Sequence, residues 1–390
     1  MFTILSVFGT RPEAIKFAPV IRELANHSDQ VRSVVCVTAQ HRQMLDQVLN
    51  LFHIMPDFDL NLMEERQTLS RLTTHTLTAL EPVLSEVQPD WMLVQGDTTT
   101  TMAASLLAFY HRIKLAHIEA GLRTSNKHAP FPEEINRRIT SVVADMHLAP
   151  TELARQALLA EGVPDSTIYV TGNTVVDALL WIREIVQLRL PPVPDRLREA
   201  MRGKRLLLVT GHRRESFGEG LEQICLALRD LAQNHPEVII VYPVHLNPCV
   251  REPVYRIIGE TRGVHLIDPI PYASFVWLMD QAYLILTDSG GVQEEAPSLG
   301  KPVLVMRETT ERNEGVHTGS ACLVGVNRFH IVEQVQDLLT NGDRYRRMSL
   351  AKNPYGDGYA AKRVVESLLE YQSGNNEKTE QIDRIVRNRG

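Results

Sequence analysis

Short β-branched runs alternate with longer stretches of 3.6-residue apolar periodicity along most of this chain. The candidate strands are Thr3–Phe8, Val31–Thr38, Trp91–Gln95, Lys114–Ile118, Ile168–Thr171, Leu206–Thr210, Val238–Val244, Val264–Ile267, Tyr283–Thr287, Pro302–Met306 and Ala321–Val324. Segments such as "EAIKFAPVIRELA" and "TMAASLLAFYHR" lie between them. Strands buried on both faces and joined by helices form parallel sheets, because a parallel neighbour is reached only by a crossover. The expected class is therefore α/β. At 390 residues the chain is long enough for two domains.

The run "LPPVPD" (190–195) interrupts the pattern, which restarts at "RLLLVTG". Two Rossmann-like halves are expected: residues 1–172 and residues 173–358. After "NPYGDG" (353–358) one last helix is expected over about 359–371, followed by a frayed polar tail over 372–390.

Bulk properties exclude several classes. A net charge of −6 argues against nucleic acid as a partner. No apolar run reaches the length of a membrane span, and the apolar start lacks the features of a signal peptide. Cys36, Cys225, Cys249 and Cys322 are far apart and suit a reducing cytoplasm. No zinc motif, Walker A loop or complete dinucleotide fingerprint is present, so no metal and no cofactor is expected. His117-Ile-Glu119 matches the start of a deaminase motif, but its cysteine partner motif is missing.

In parallel sheets ligands sit beyond the carboxyl ends of the strands. The motifs that carry chemistry fall there: "GTRPEAIK", "QGDTTTT", "IEAGLRT", "TGHRRESFGEG", "VHLNP" and "TDSGG". The last is a turn into a helix starting near Gly291, whose backbone amides and Ser289 suit an anion. Ser289 as a plain helix cap is the competing reading. Glu294 and Glu295 follow one turn later; one of the two can face a ligand and accept ribose hydroxyls, and the sequence does not choose. Arg11 and Lys16 flank the start of the first helix, while His212, Arg213 and Arg214 occupy the matching point of the second half. Asp97, Glu119, Glu133 and Glu134 are candidate acids and bases.

The set "FGTRPEAIK", "TAQHRQMLDQVL", "GDTTTT", "HIEAGLRT", "PFPEEINRR", "TGNTVVDALL", "TGHRRESFG", "YPVHLNP", "TDSGGVQEEAPSLGKPVLVMR" and "NPYGDG" closely resembles the bacterial non-hydrolysing UDP-N-acetylglucosamine 2-epimerases, from about Thr3 to Tyr371. The resemblance implies a glycosyltransferase-B type fold, two Rossmann-like domains facing across a cleft, with the last helix crossing back to the first. It implies reversible epimerisation at C2 of UDP-N-acetylglucosamine to UDP-N-acetylmannosamine through a 2-acetamidoglucal, without cofactor, in a homodimer. By resemblance, Arg11, His212, Ser289, Gly290 and Gly291 grip the diphosphate, with Lys16 a further polar contact. Glu295 takes the ribose, Phe275 neighbours the uracil and Arg312 is another nucleotide contact. Asp97, Glu119 and Glu133 look like the catalytic acids and bases, with His212 beside the leaving group. Gln40, Gln43, Arg66, Arg213 and His245, with Glu133, match a second, activating substrate site of some bacterial members. Three rivals remain: a hydrolysing epimerase, a glycosyltransferase of the same fold, and a non-catalytic nucleotide-sugar sensor. Asn313 replaces a proline usual in the family and predicts a looser loop beside Arg312.

Overall fold

The structure is a computed structural model. It describes residues 1–39, 42–62, 67–124 and 126–387, with side chains described except at 42–43 and beyond 373. By contacts it divides into two units: Met1–Ala178 with Gly358–Gly390, and Leu179–Asp357.

The first unit holds a seven-stranded sheet: β1 (Phe2–Phe8), β2 (Val31–Val37), β3 (Phe58–Asp59), β4 (Trp91–Gln95), β5 (Lys114–Ile118), β6 (Met146–Ala149) and β7 (Ile168–Val170). All neighbours pair parallel, in the order β3-β2-β1-β4-β5-β6-β7. The second unit holds β8 (Arg205–Thr210), β9 (Val238–Pro243), β10 (Val264–Ile267), β11 (Leu284–Thr287), β12 (Val303–Val305) and β13 (Ala321–Leu323). These are also parallel, in the order β10-β9-β8-β11-β12-β13. The expected α/β class with crossover helices is the one observed. Strand order reverses once per sheet, between β1 and β4 and between β8 and β11. Diverging connections open a crevice at such a switch point.

Two strands escape the sequence reading. β3 is only two residues long, and β6 follows the helix Glu133–Val143 so closely that its apolar residues read as more of that helix. The last helix runs Ala360–Arg387, well past the expected end at 371. The stretch after Gln372 continues as helix, although it opens on Ser373-Gly374-Asn375-Asn376, which propagate a helix poorly.

The unit boundary falls inside the helix Thr174–Leu188, and the proline-rich run lies wholly in the second unit. Polar contacts explain its allegiance. Arg183 donates to Asp280 at 3.0 Å, and Ser274 donates to the Pro192 carbonyl at 3.0 Å. Both partners belong to the helix Tyr272–Gln281 or adjoin it in that unit.

The cores are aliphatic. Leu5, Val7, Met92, Val94 and Leu115 pack beneath Leu80, Ala104 and Ala108 in the first unit. Leu207, Val209, Ile240 and Leu286 pack beneath Ile224, Leu228 and Ile331 in the second. Among the described residues no helix is long and apolar enough to cross a membrane.

Candidate active site

In the first unit, Gly9 and Thr10 follow the end of β1, and the helix Arg11–Asn26 begins at once with Pro12 in its first turn. Glu13 is 2% exposed. Its Oε2 accepts the backbone N–H of Gly9 at 3.0 Å and of Thr10 at 2.7 Å. Its Oε1 accepts the hydroxyls of Thr98 at 2.6 Å and Thr101 at 3.1 Å, both from the turn after β4. One carboxylate thus joins the two turns of the switch point. Close packing requires glycine at position 9, where a Cβ would sit 2.0 Å from Thr38 Oγ1.

Glu119 directly follows β5 and sits in the left-handed region, φ 63°. That conformation is uncommon for a residue with a side chain and concentrates at functional positions. Its carboxylate is nearly buried. Lys16 pairs with Oε1, Asn173 donates to Oε1 at 2.9 Å, and Gln95 donates to Oε2. Ammonium and amide donors around one carboxylate stabilise its anionic form. Lys16 thus lies at the carboxylate centre of the first unit.

Asp97 follows β4. Arg137 pairs with its carboxylate at 2.8 Å, and Asn136 donates to its backbone carbonyl at 3.0 Å. Glu133 and Glu134 start the next helix and part company there. Glu134 is fully buried and accepts from the Thr124 amide at 3.0 Å and from Arg138 at 2.9 Å. Glu133 is half-exposed and makes no side-chain hydrogen bond or ion pair among the described residues. Glu134 therefore holds the loop, and Glu133 is available to a ligand. Arg11 is half-buried at the start of its helix.

Beneath this edge His117 is fully buried, with Nε2 2.7 Å from the Gly96 carbonyl oxygen. Burial lowers its pKa to about 3, although the Gly96 bond opposes the shift. His147, its partner across β5 and β6, is lowered to about 4 by burial, assisted by Arg123. Both rings are neutral at ordinary pH.

In the second unit the loop after β8 carries Gly211, His212 and Arg213, and the loop after β11 carries Asp288, Ser289 and Gly290. Asp288 is 1% exposed. Its Oδ2 accepts the backbone N–H of His212 at 2.7 Å and of Arg213 at 2.8 Å. Tyr242 donates to the Gly211 carbonyl at 2.7 Å from a fully buried position. The His212 ring stacks on His245, centroids 5.4 Å apart. Asp288 was given no role in the sequence reading. The signal was present, since an aspartate directly after a buried strand faces its neighbour's loop.

Ser289 precedes a helix of six residues, Gly290–Glu295, and its side chain does not cap it. The plain-cap reading is therefore not what is observed. Gly290 lies against the Arg312 guanidinium, where a Cβ would come within 3.1 Å of it; Gly291 is open. Glu294 and Glu295 are both buried. Arg312 donates to Glu294 at 2.9 Å, while Tyr272 donates to Glu295. Phe275 lies one turn along from Tyr272, partly exposed.

The loop beside Arg312 is not loose. Arg312 Nη1 donates to Glu311 at 2.8 Å, its backbone N–H reaches Thr310 Oγ1 at 3.1 Å, and Tyr355 donates to its carbonyl at 2.9 Å. Asn313 therefore costs the loop little. Arg213 also reaches Glu311, at 3.3 Å, and Arg307 does so at 2.7 Å. Burial alone would raise the Glu311 carboxyl, but Arg312, Arg307 and Arg213 outweigh it and hold it down to about 2. His245 is exposed beside Asn247. Gln40 and Arg66 lie outside the described residues, as does the side chain of Gln43, so three members of the expected second site are not described.

A groove of about 1210 Å³ in the second unit, lined by residues including Lys204, Val238, Arg262, Gly263 and His265, contains none of these residues. It lies by the amino ends of β9 and β10, the edge away from ligand chemistry in a parallel sheet. Among the described residues no cluster of His, Cys, Asp and Glu could hold a metal ion.

The two sets of turns have different chemistry. The first unit offers carboxylates held by cations and amides; the second offers backbone amides, imidazoles and guanidiniums. Comparison with known proteins agrees with one family. The sequence model of the family described as UDP-N-acetylglucosamine 2-epimerase matches residues 22–369. A UDP-N-acetylglucosamine 2-epimerase of Escherichia coli K12 is 56% identical over 373 residues, covering 94% of this chain and 98% of the relative. The crystal structure of the Neisseria meningitidis UDP-GlcNAc 2-epimerase bound to UDP-GlcNAc superposes with TM-score 0.87 at 48% identity, covering 94% of this chain and all of that one. The S. aureus protein solved together with UDP gives 0.87 at 43% identity, covering 96% and 97%.

Proposed function

The chain belongs to the UDP-N-acetylglucosamine 2-epimerase family, and on that premise we propose that it interconverts UDP-N-acetylglucosamine and UDP-N-acetylmannosamine without hydrolysis. The C2 proton of the sugar is not adjacent to a carbonyl, so direct abstraction is too slow. Breaking the bond from C1 to the diphosphate oxygen makes C1 oxocarbenium-like and acidifies C2–H. A carboxylate takes the proton, UDP departs with the C1–O electron pair, and 2-acetamidoglucal forms. A proton then returns to C2 on the opposite face, and UDP adds back to C1.

The demands are a cationic and amide grip on departing UDP and carboxylates near C1 and C2. His212, Arg11, Ser289, Gly290, Gly291 and Arg312 are the proposed grip, with Phe275 and Glu295 on the nucleoside. Glu133, which makes no salt bridge among the described residues, is suited to exchange a proton, whereas Glu119, surrounded by an ammonium and two amide donors, suits stabilisation of positive charge at C1. Asp97 is the third carboxylate.

One observation carries this reading: a carboxylate-lined switch point in one unit and a cation- and amide-lined one in the other, within a chain of this family. The enzyme is proposed to act in the cytoplasm as a homodimer and to respond to its own substrate through Arg213, His245, Gln40, Gln43 and Arg66. The test is incubation with UDP-N-acetylglucosamine in heavy water. One deuterium at C2 of UDP-N-acetylmannosamine is expected; free N-acetylmannosamine, or product without deuterium, overturns the proposal.

A further inference from the structure

Asp288 does more than fasten two backbone amides. Oδ2 is saturated by the His212 and Arg213 N–H groups. Oδ1 is equally buried and has no hydrogen-bond partner. A buried carboxylate oxygen left without a donor is costly and marks either strain or a function. The group nearest to satisfying it is the His212 ring, with Nδ1 3.5 Å away.

We infer that Asp288 is a positioning residue for His212: it fixes the loop through Oδ2 and, through Oδ1, holds a proton on His212 Nδ1, leaving Nε2 facing the ligand, an acceptor in the neutral ring and a donor to an anion once it takes a proton of its own. Two further charged or titratable groups described at the ring are His245, stacked on it, and Arg213, next in the chain. Neither offers an acceptor to Nδ1: His245 Nδ1 already accepts the Asn247 N–H at 3.1 Å, and a guanidinium only donates. Asp288 is thus the one acceptor among these neighbours.

The second nitrogen of an imidazole takes its role from the hydrogen bond made by the first. With Nδ1 donating to a carboxylate, the ring becomes more basic, and an imidazolium is stabilised when negative charge develops at Nε2. In the proposed reaction that charge appears on the diphosphate oxygen as its bond to C1 breaks. This consequence rests on the proposed function; the tautomer of His212 does not.

The first measurement is therefore made without substrate. Nitrogen-15 shifts of the labelled histidines, with His212 assigned by its loss in His212→Gln, report the tautomer directly. Nδ1–H is expected in the unsubstituted protein, and the Nε2–H form overturns the inference. Asp288→Asn keeps an oxygen for the two amides but offers N–H groups to the ring. It is expected to lower the His212 pKa by about one unit. An unchanged pKa would reduce Asp288 to a backbone clasp. On turnover, Asp288→Asn is expected to cut kcat roughly ten- to hundredfold with little change in KM. In the His212→Gln background the same substitution is expected to cost less than about twofold, because it acts through the ring. An equal loss in both backgrounds overturns the inference. Should Asp288→Asn not fold, the tautomer of the unsubstituted protein decides alone.

Discussion

The two switch points solve one problem with opposite wiring. Each must hold two loops from neighbouring parallel strands, and each uses a buried carboxylate that accepts two successive backbone N–H groups. In the first unit Glu13 takes the amides of its own loop with one oxygen and reaches the neighbouring loop through the Thr98 and Thr101 hydroxyls. In the second, Asp288 comes from the neighbouring loop and takes the amides of the His212 loop. Glu13 ends with both oxygens satisfied, whereas Asp288 keeps one for an imidazole. A clasp closed on both sides is structural; one left half open couples the loop to chemistry.

The largest expected effect is at the carboxylate centre that the first clasp supports. Glu119→Gln should lower kcat by at least a hundredfold and, because it leaves the Lys16 ammonium without its carboxylate, lower the thermal transition as well. A kcat within threefold of the original, read by a coupled or NMR assay, would remove Glu119 from the chemistry. Next comes the clasp. Glu13→Ala strands two amides and two hydroxyls and should destabilise the first unit by roughly 3 kcal/mol, visible as a lower denaturant midpoint. The comparison with Asp288→Asn is sharpest if the first change mainly costs stability and the second mainly costs kcat.

Acid should separate the units as well. His117 and His147 bind protons in the unfolded chain below about 6.5 but in the folded unit only near 3 and 4. Their contribution is complete above pH 6.5 and is lost as pH falls, at roughly 1.4 kcal/mol per pH unit for each ring. Glu311 is depressed from 4.5 to about 2, so its contribution in the second unit persists above 4.5 and is lost only below it. Hydrogen exchange at pH 5 is expected to show the first unit opening before the second; the reverse order would contradict this assignment. The smallest effect is at the nucleoside end. Tyr272→Phe removes one hydroxyl from Glu295 and should raise KM about tenfold with kcat retained.

Fold and site were legible to different depths. Alternating periodicity marked eleven strands, because burial on both faces writes a continuous apolar run. It missed Phe58–Asp59, too short to have a period, and Met146–Ala149, which continues the apolar pattern of a helix. The loops after the strands are where the carboxylates, amides and cations gather, because parallel strands bring their carboxyl ends to one edge. What the sequence did not carry was pairing at a distance. Asn173 reaches Glu119 across 54 positions, and Asp288 reaches the His212 loop across 76. Strand order creates those encounters, and local periodicity is silent about strand order. The same limit left the choice between Glu294 and Glu295 open: each is engaged, one by Arg312 and the other by Tyr272.

The last helix is part of the first unit. Val364, Val365 and Leu368 are buried, and Tyr371 meets Trp91 edge-on at 5.1 Å, with the Lys114 ammonium over both rings. During synthesis the ribosome delivers every residue of the second unit before that helix emerges. Until that segment arrives, Trp91 lacks its edge-on partner Tyr371.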